Sequence, residues 1–247
     1  IGVRLVGSEM CIRDRIISST FFNTFFLACA SIIFALIFGV LFGVVSALAK
    51  DSFFDRFLLY FSVVGMALPS FFSSIIVAWV FGYLLHNYTG LNMYGSLYEL
   101  DDYGVSNSLV LKNLILPAFT LGIRPLAVIV QLSRNSLLEV LSMDYIRTAH
   151  AKGLNKKIVI FKHALRNSLN PVITAVSGWF ASLLAGAVFV EYIFAWNGLG
   201  KEIVDALNNM DLPVVMGSVL FISVIFIVIN ILVDIIYMLV DPRIKIE

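Results

Sequence analysis

The stretch FFNTFFLACASIIFALIFGVLFGVVSALA, Phe21–Ala49, decides the fold class. It carries no charged side chain and no alternation of polar with apolar residues. The hydrocarbon core of a bilayer takes about 20 apolar residues in a helix. In hydrocarbon every backbone N–H and C=O must be bonded within the protein, so a run this long and apolar on all sides is a helix. A membrane strand would be about ten residues of alternating polarity. Four more runs follow the same pattern: Phe57–Leu85, about Leu114–Leu138, Val172–Phe194 and Val214–Val240.

The whole chain agrees with this reading. Of its 247 residues, 60% are hydrophobic and 13% are charged, with a mean hydropathy of +0.96. A soluble domain carries about 25% charged residues. The class expected is therefore an all-α polytopic membrane helix bundle with five transmembrane helices.

The connectors differ in charge. Residues 50–56 hold Lys50 and Arg56, residues 142–171 hold Arg147, Lys152, Lys156, Lys157, Lys162 and Arg166, and the tail holds Arg243 and Lys245. The alternate connectors, about 86–113 and 195–213, hold only Lys112 and Lys201, with Glu99, Asp101, Asp102, Glu202, Asp205 and Asp211. Basic residues mark cytoplasmic loops, which puts 50–56, 142–171 and the C-terminus in the cytoplasm. The net charge of +1 does not suggest nucleic acid. Five spans place residue 16 outside, so a preceding segment is expected in the native chain. Residues 1–15, IGVRLVGSEMCIRDR, contain no apolar core of signal-peptide length. We read them as a non-native leader and take 16–247 as the domain.

Pro69, Pro117 and Pro125 fall at membrane depth, where broken helical bonding needs cover from protein or a wet cavity. SLLAGA, Ser182–Ala187, permits close helix contact. These features predict a packed bundle around a path. Arg124, Arg134, Glu139, Glu191 and Asp234 are ionisable groups near or within the spans. Charge there marks a pathway or a paired contact, and pairing within the protein is the expected role. Cys11 and Cys29 form no metal pair or disulfide framework. No HExxH, GxSxG or phosphate-binding loop is present, and Gly200-Lys201 is followed by Glu202. Any ATP used must be bound by another chain.

Residues 142–171 hold six of the 17 Lys and Arg residues. Asp144–Lys152 favours helix, with Ile146 and Ala149 on one face. Gly153 permits a turn that a Cβ would resist. A second helical piece should carry Ile158, Phe161 and Leu165 on one stripe, at i, i+3 and i+7. Contact of the positive charges with anionic lipid would explain the charge. It would not explain about thirty patterned residues where connections are usually shorter, so a docking surface is the better reading.

DYIRTAHAKGL with KHALRNSLNPVIT resembles the coupling loop of binding-protein-dependent ABC permeases, closest to the B-type subunit of the dipeptide/oligopeptide/nickel family. ALPSFF, LILPAFTLGIRPLAVIVQLSRNSLLEVL, LLAGAVFVEYIFAWNGLG, DLPVVMG and NILVDIIYMLVDPRIK extend the resemblance over about 16–247. Arg147-Thr148-Ala149 stands where the general pattern has Glu-Ala-Ala, and Asn170 splits the usual Leu-Pro pair, as is common in the peptide branch. Asn197 stands where the family usually has Pro.

The resemblance implies an ABC transporter type I transmembrane domain, five helices being present of an expected six, in a bacterial inner membrane. It implies import of di- or oligopeptides, with nickel, glutathione or another small solute as alternative cargo. An ion-coupled secondary carrier is the less favoured alternative. The partners implied are a second homologous permease subunit, two cytoplasmic ATPase subunits and a periplasmic solute-binding protein. ATP and Mg would be bound by the ATPases, with no cofactor or catalytic site here. Asp144, Tyr145, Arg147, Thr148, Ala149, Ala151, Lys152, Gly153 and Leu154 would form the coupling contact. In it Gly153 would set the turn, Ala149 and Ala151 would allow close approach, and Arg147 and Lys152 would lie at the rim.

Overall fold

A computed structural model describes residues 2–100 and 107–240. Asp101, Asp102 and the tail 241–247 with Arg243 and Lys245 lie outside the described residues, as do the side chains of Glu99, Ala185, Gly186 and Asp234. The chain is helical almost throughout. In order it forms α1 (Gly2–Leu48), α2 (Phe53–Ala67), α3 (Ser70–Val77) with a π-helical continuation (Ala78–Leu84), and α4 (His86–Thr89). A hairpin follows, β1 (Tyr98–Leu100) antiparallel to β2 (Asn107–Leu109), with Tyr98 opposite Leu109. Then come α5 (Lys112–Leu141), α6 (Asp144–Ala151), α7 (Lys156–Ile158) running into a π-helical stretch (Val159–Ala164), and α8 (Leu165–Ser168). The last four are α9 (Asn170–Gly186), α10 (Val188–Ile193), α11 (Leu199–Asn208) and α12 (Leu212–Val240).

All five apolar runs are helical, but two of them are broken. Asp14–Leu48, Lys112–Leu141 and Leu212–Val233 are long and apolar enough to cross a membrane. The run at 57–85 is a bent pair, with α2 and α3 turning by 111° at Leu68–Pro69. The residue before a proline is forced out of the helical region, and Leu68 is extended, at φ −72 and ψ 130. The run at 172–194 breaks at Ala187, leaving Asn170–Leu184 as a shorter apolar helix. Among the described residues, three helices are therefore long and apolar enough to be spans, or four if the bent pair is one. Pro117 and Pro125, also predicted to interrupt, leave α5 continuous.

Polar side chains inside these helices turn back on their own backbone. Ser31, Ser62, Ser74 and Thr120 each donate a hydroxyl to the carbonyl four residues earlier, at 2.7–2.8 Å. That satisfies the hydroxyl without a partner helix. Along α12, Leu220, Val224, Ile227 and Ile231 are exposed. Such an apolar face is suited to hydrocarbon.

Two compact units are distinguished by their internal contacts. One takes α1 up to Ser31, Pro69–Leu121 and Phe180–Leu232. The fully buried Trp196 lies within it and donates its indole N–H to the Asn23 carbonyl at 3.1 Å. Asn197 donates its N–H to the Ser96 hydroxyl at 3.3 Å, and Asn113 donates to the Ser96 carbonyl at 3.0 Å. Phe25–Phe180 and Phe71–Phe189 ring contacts complete its packing.

The other unit takes Ile32–Leu68, Gly122–Trp179 and the end of α12 from Val233. Here α1 presents Ala35, Gly39, Gly43 and Ala47 to α5. A Cβ on Gly43 would stand 2.5 Å from Ser133 Cβ and 2.8 Å from the Val130 carbonyl, and one on Gly39 would stand 2.7 Å from Ile129 Cγ2. The two backbones meet this closely because the positions are glycine, four apart on one helix face.

Candidate functional site

The basic segment begins where α5 ends. Helix α6 starts at Asp144, whose carboxylate suits the positive end of the helix dipole. Asp144 also accepts a bond from Arg147 at 3.3 Å, but both side chains are open to water, so the pair contributes little. Thr148 returns its hydroxyl to the Asp144 carbonyl at 3.0 Å.

The helix stops at Gly153, which has φ +76. The Gly153 N–H bonds to the His150 carbonyl at 2.9 Å and the Leu154 N–H to the Ala149 carbonyl at 3.3 Å. These two bonds close the last turn as a Schellman cap, which needs a left-handed residue at that position. Asn155 then caps α7, its side chain accepting from the Lys157 N–H at 3.2 Å. The predicted helix–turn–helix is thus present.

Which faces point inward differs in part from expectation. Ile146 and Ala149 are buried together, as their spacing predicts. They join Val44 and Ala47 of α1, Leu137 and Val140 of α5, and Val159 and Ala164 in one apolar cluster. The stripe Ile158, Phe161 and Leu165 is not the buried face. Ile158 and Phe161 are exposed, Leu165 is partly buried, and Val159, Ile160, Ala164 and Ser168 lie inward. Ile158 already faces outward before the π-helical turn at Val159–Ala164, and within and after that turn the 3.6-residue period used to place Phe161 and Leu165 no longer holds.

The predicted contact residues divide the same way. Asp144, Tyr145, Arg147, Thr148, Ala151, Lys152, Gly153 and Leu154 are exposed. Ala149 is 8% exposed and belongs to the chain's own core. Its side chain faces that core, unlike the other eight residues. Tyr145 also ties α6 to α8, its hydroxyl accepting from the Asn167 amide at 3.0 Å.

The ionisable groups read from the spans find different surroundings. Arg124 and Glu139 are exposed. Arg134 pairs internally, as expected, with a partner the sequence reading missed. Its Nε and Nη2 donate to Oδ1 and Oδ2 of Asp55, each at 2.7 Å. The Ser46 hydroxyl also donates to Oδ1, and the Asp51 N–H to Oδ2 at 3.0 Å. The signal for Asp55 was Ser52-Phe53-Phe54-Asp55 ahead of an apolar run, a helix-start pattern. Ser52 indeed caps α2 by accepting from the Asp55 N–H.

Glu191 is paired with backbone. Its Oε2 accepts the N–H groups of Gly200 at 2.7 Å and Lys201 at 3.2 Å, and the Leu199 N–H goes to the Thr24 hydroxyl at 2.8 Å. Helix α11 begins there behind Gly198, which has no side chain to cap it. The carboxylate caps it from α10. Among the described residues, no three His, Cys, Asp or Glu side chains gather into a metal site.

A bundle of long apolar helices, with most of its charge in the connectors, defines an integral membrane protein. Residues 39–246 match the family described as the binding-protein-dependent transport system inner membrane component, and the chain belongs to that family. It is 39% identical to the dipeptide transport system permease protein DppB of Alkalihalophilus pseudofirmus, over 87% of this chain and 68% of that one. It is 40% identical to the di/tripeptide transport system permease protein DppB of Pseudomonas aeruginosa, over 89% and 69% of the two chains. DppB of Escherichia coli K12 is 37% identical over the same shares. Among solved structures, an inward-facing MetNI methionine ABC transporter aligns with TM-score 0.69 at 15% identity, covering 92% of this chain and 96% of that one. An amino acid ABC transporter solved with histidines aligns with TM-score 0.63 at 14% identity, covering 96% and 97%. At these identities the two structures establish the shared fold.

Proposed function

We propose that this chain is a permease subunit of an ATP-driven importer of di- or oligopeptides, and that the exposed face of α6 and its Gly153 turn is where a cytoplasmic ATPase subunit acts on it. The cargo class follows the peptide permeases, which match most of the chain at about 40% identity. The chain forms part of the path with a second permease subunit, and a binding protein delivers the peptide from outside. The basic segment lies in the cytoplasm, following its excess of Lys and Arg.

One observation carries the coupling role. Helix α6 is two-faced, with Ile146 and Ala149 sunk among α1 and α5 while Arg147, Thr148, Ala151 and Lys152 stand outward. A partner pressing on the outer face pushes through a packed core rather than a flexible loop. Such an interface biases a bundle with two arrangements toward one of them. No step of hydrolysis is assigned to this chain.

The test is peptide uptake into proteoliposomes holding this subunit, its partner permease, the ATPases and the binding protein. Uptake that needs ATP and both soluble partners is the expected result, and uptake driven by an ion gradient alone would sink the proposal. Paired variants locate the contact. Ala151→Trp should abolish co-purification of the ATPase while the permease subunits stay assembled. Ala149→Trp should instead lower the yield of folded protein, because its site is already filled.

A further inference from the structure

The Asp55–Arg134 pair has a placement that structural pairing alone does not explain. The two residues lie 79 positions apart. Between them and Ser46 they join the end of α1, the start of α2 and the last third of α5. The side chain of Asp55 is 2% exposed and that of Arg134 is 14% exposed. Both carboxylate oxygens are used twice, by the two guanidinium nitrogens, the Ser46 hydroxyl and the Asp51 N–H.

The same stretches of α1 and α5 form the floor beneath α6. Val44 and Ala47 flank Ser46, Leu137 and Val140 follow Arg134, and Ile146 and Ala149 rest on these four. Apolar contact is non-directional. It holds α6 against the floor without a directional bond between α1 and α5, whose other close contact is the seating of Ile129 and Ser133 against Gly39 and Gly43. A guanidinium–carboxylate pair with two parallel bonds is directional. An enclosed ion pair is a poor stabiliser next to apolar residues of the same volume, so direction is what this one adds.

We infer that Asp55 and Arg134, closed by Ser46, are positioning residues of the transport cycle: they lock the α1–α2 turn to α5 so that a push on α6 moves these helices as one body. The inference rests on the coupling role proposed above. Without the lock, the push is absorbed by slippage of α1 along α5, and ATP is hydrolysed with little peptide moved.

The test uses the assembled transporter and the double variant Asp55→Leu/Arg134→Met, which removes both charges and leaves no unpaired one. Peptide transported per ATP hydrolysed should fall about tenfold, within the range of coupling between sites, while thermal stability and ATPase co-purification stay near wild type. The charge-keeping variant Arg134→Lys, which loses the second parallel bond, should fall between the two. A second readout needs no cargo. Spin labels at Arg56→Cys and His150→Cys, with Cys11 and Cys29 replaced by serine, should give one narrow distance distribution with or without ATP. In the double variant its width should roughly double, if slippage of this kind is what the pair prevents. An unchanged ratio and unchanged width would overturn the inference. So would failure of the double variant to assemble, which would make the pair structural only. Wild-type complex without ATP-dependent uptake would instead remove the proposed function, and the label distances would still report on the lock.

Discussion

Asp55 and Glu191 are both carboxylates closed off from solvent, at 1% and 0% exposure, and they are bonded in opposite ways, Asp55 through both oxygens and Glu191 through Oε2 alone. Asp55 faces a cation from a distant helix, with a hydroxyl and one backbone N–H completing its shell. Glu191 faces two backbone N–H groups at the start of a helix nine residues away. The first arrangement joins segments far apart in sequence. The second welds a local turn, and it demands glycine: a side chain on Gly198 would run into the Glu191 carboxylate, and one on Gly200 would stand 2.5 Å from Val188 Cα. A charge met by a charge fixes two partners, whereas a charge met by a helix end fixes one loop.

The sharpest way to break this contrast is Arg134→Ala. It leaves the Asp55 carboxylate enclosed without its cation, and removing one partner of an enclosed pair is strongly destabilising. Because Arg134 keeps 14% of its side chain exposed, water relieves part of the loss, and we expect about 2–3 kcal/mol. A melting curve of the purified complex in detergent would check it. Gly200→Ala comes next. Its new methyl meets backbone at Val188, which cannot swing aside, and a cost of about 1–3 kcal/mol follows from overpacking. A stable Gly200→Ala protein would show that the turn is looser than described.

Glu191→Gln sharpens the comparison itself. The amide still offers an oxygen to Gly200 and Lys201, and no cation is orphaned, so the loss should be about 1–2 kcal/mol and smaller than for Arg134→Ala. The reverse order would mean that the helix-end charge matters more than the ion pair. Gly153→Ala sets the floor, since nothing stands within 4 Å of the added methyl. Only the left-handed backbone, at φ +76, resists it, by about 1 kcal/mol. Its mark should be weaker ATPase co-purification with little change in melting.

The sequence made the apolar runs, the two-faced α6 and the Gly153 turn legible, because hydropathy and the glycine exception are local signals. It left four things hidden. Pro69 announced a break but not a bend of 111°, since a proline removes a bond without choosing the new direction. The positions of Phe161 and Leu165 were beyond the reading because the π-helical turn after Ile158 departs from the 3.6-residue period on which the stripe was read. Asp55 went unrecognised because its partner lies 79 residues away, and an i, i+3 or i, i+4 rule cannot reach that far. Glu191 was likewise beyond local rules, since the turn that returns the chain to it passes through Ala195 at φ 52.

Trp196 gives this architecture an optical handle. Its indole is wholly enclosed and hydrogen-bonded to Asn23, five residues from Glu191 and two from Gly198. Trp79, by contrast, is 53% exposed, and Trp179 is partly buried. Replacing those two with phenylalanine would leave a single fluorophore with blue-shifted emission, shielded from aqueous quenchers. Its colour would report, in a working transporter, whether the turn between α10 and α11 stays shut through a cycle.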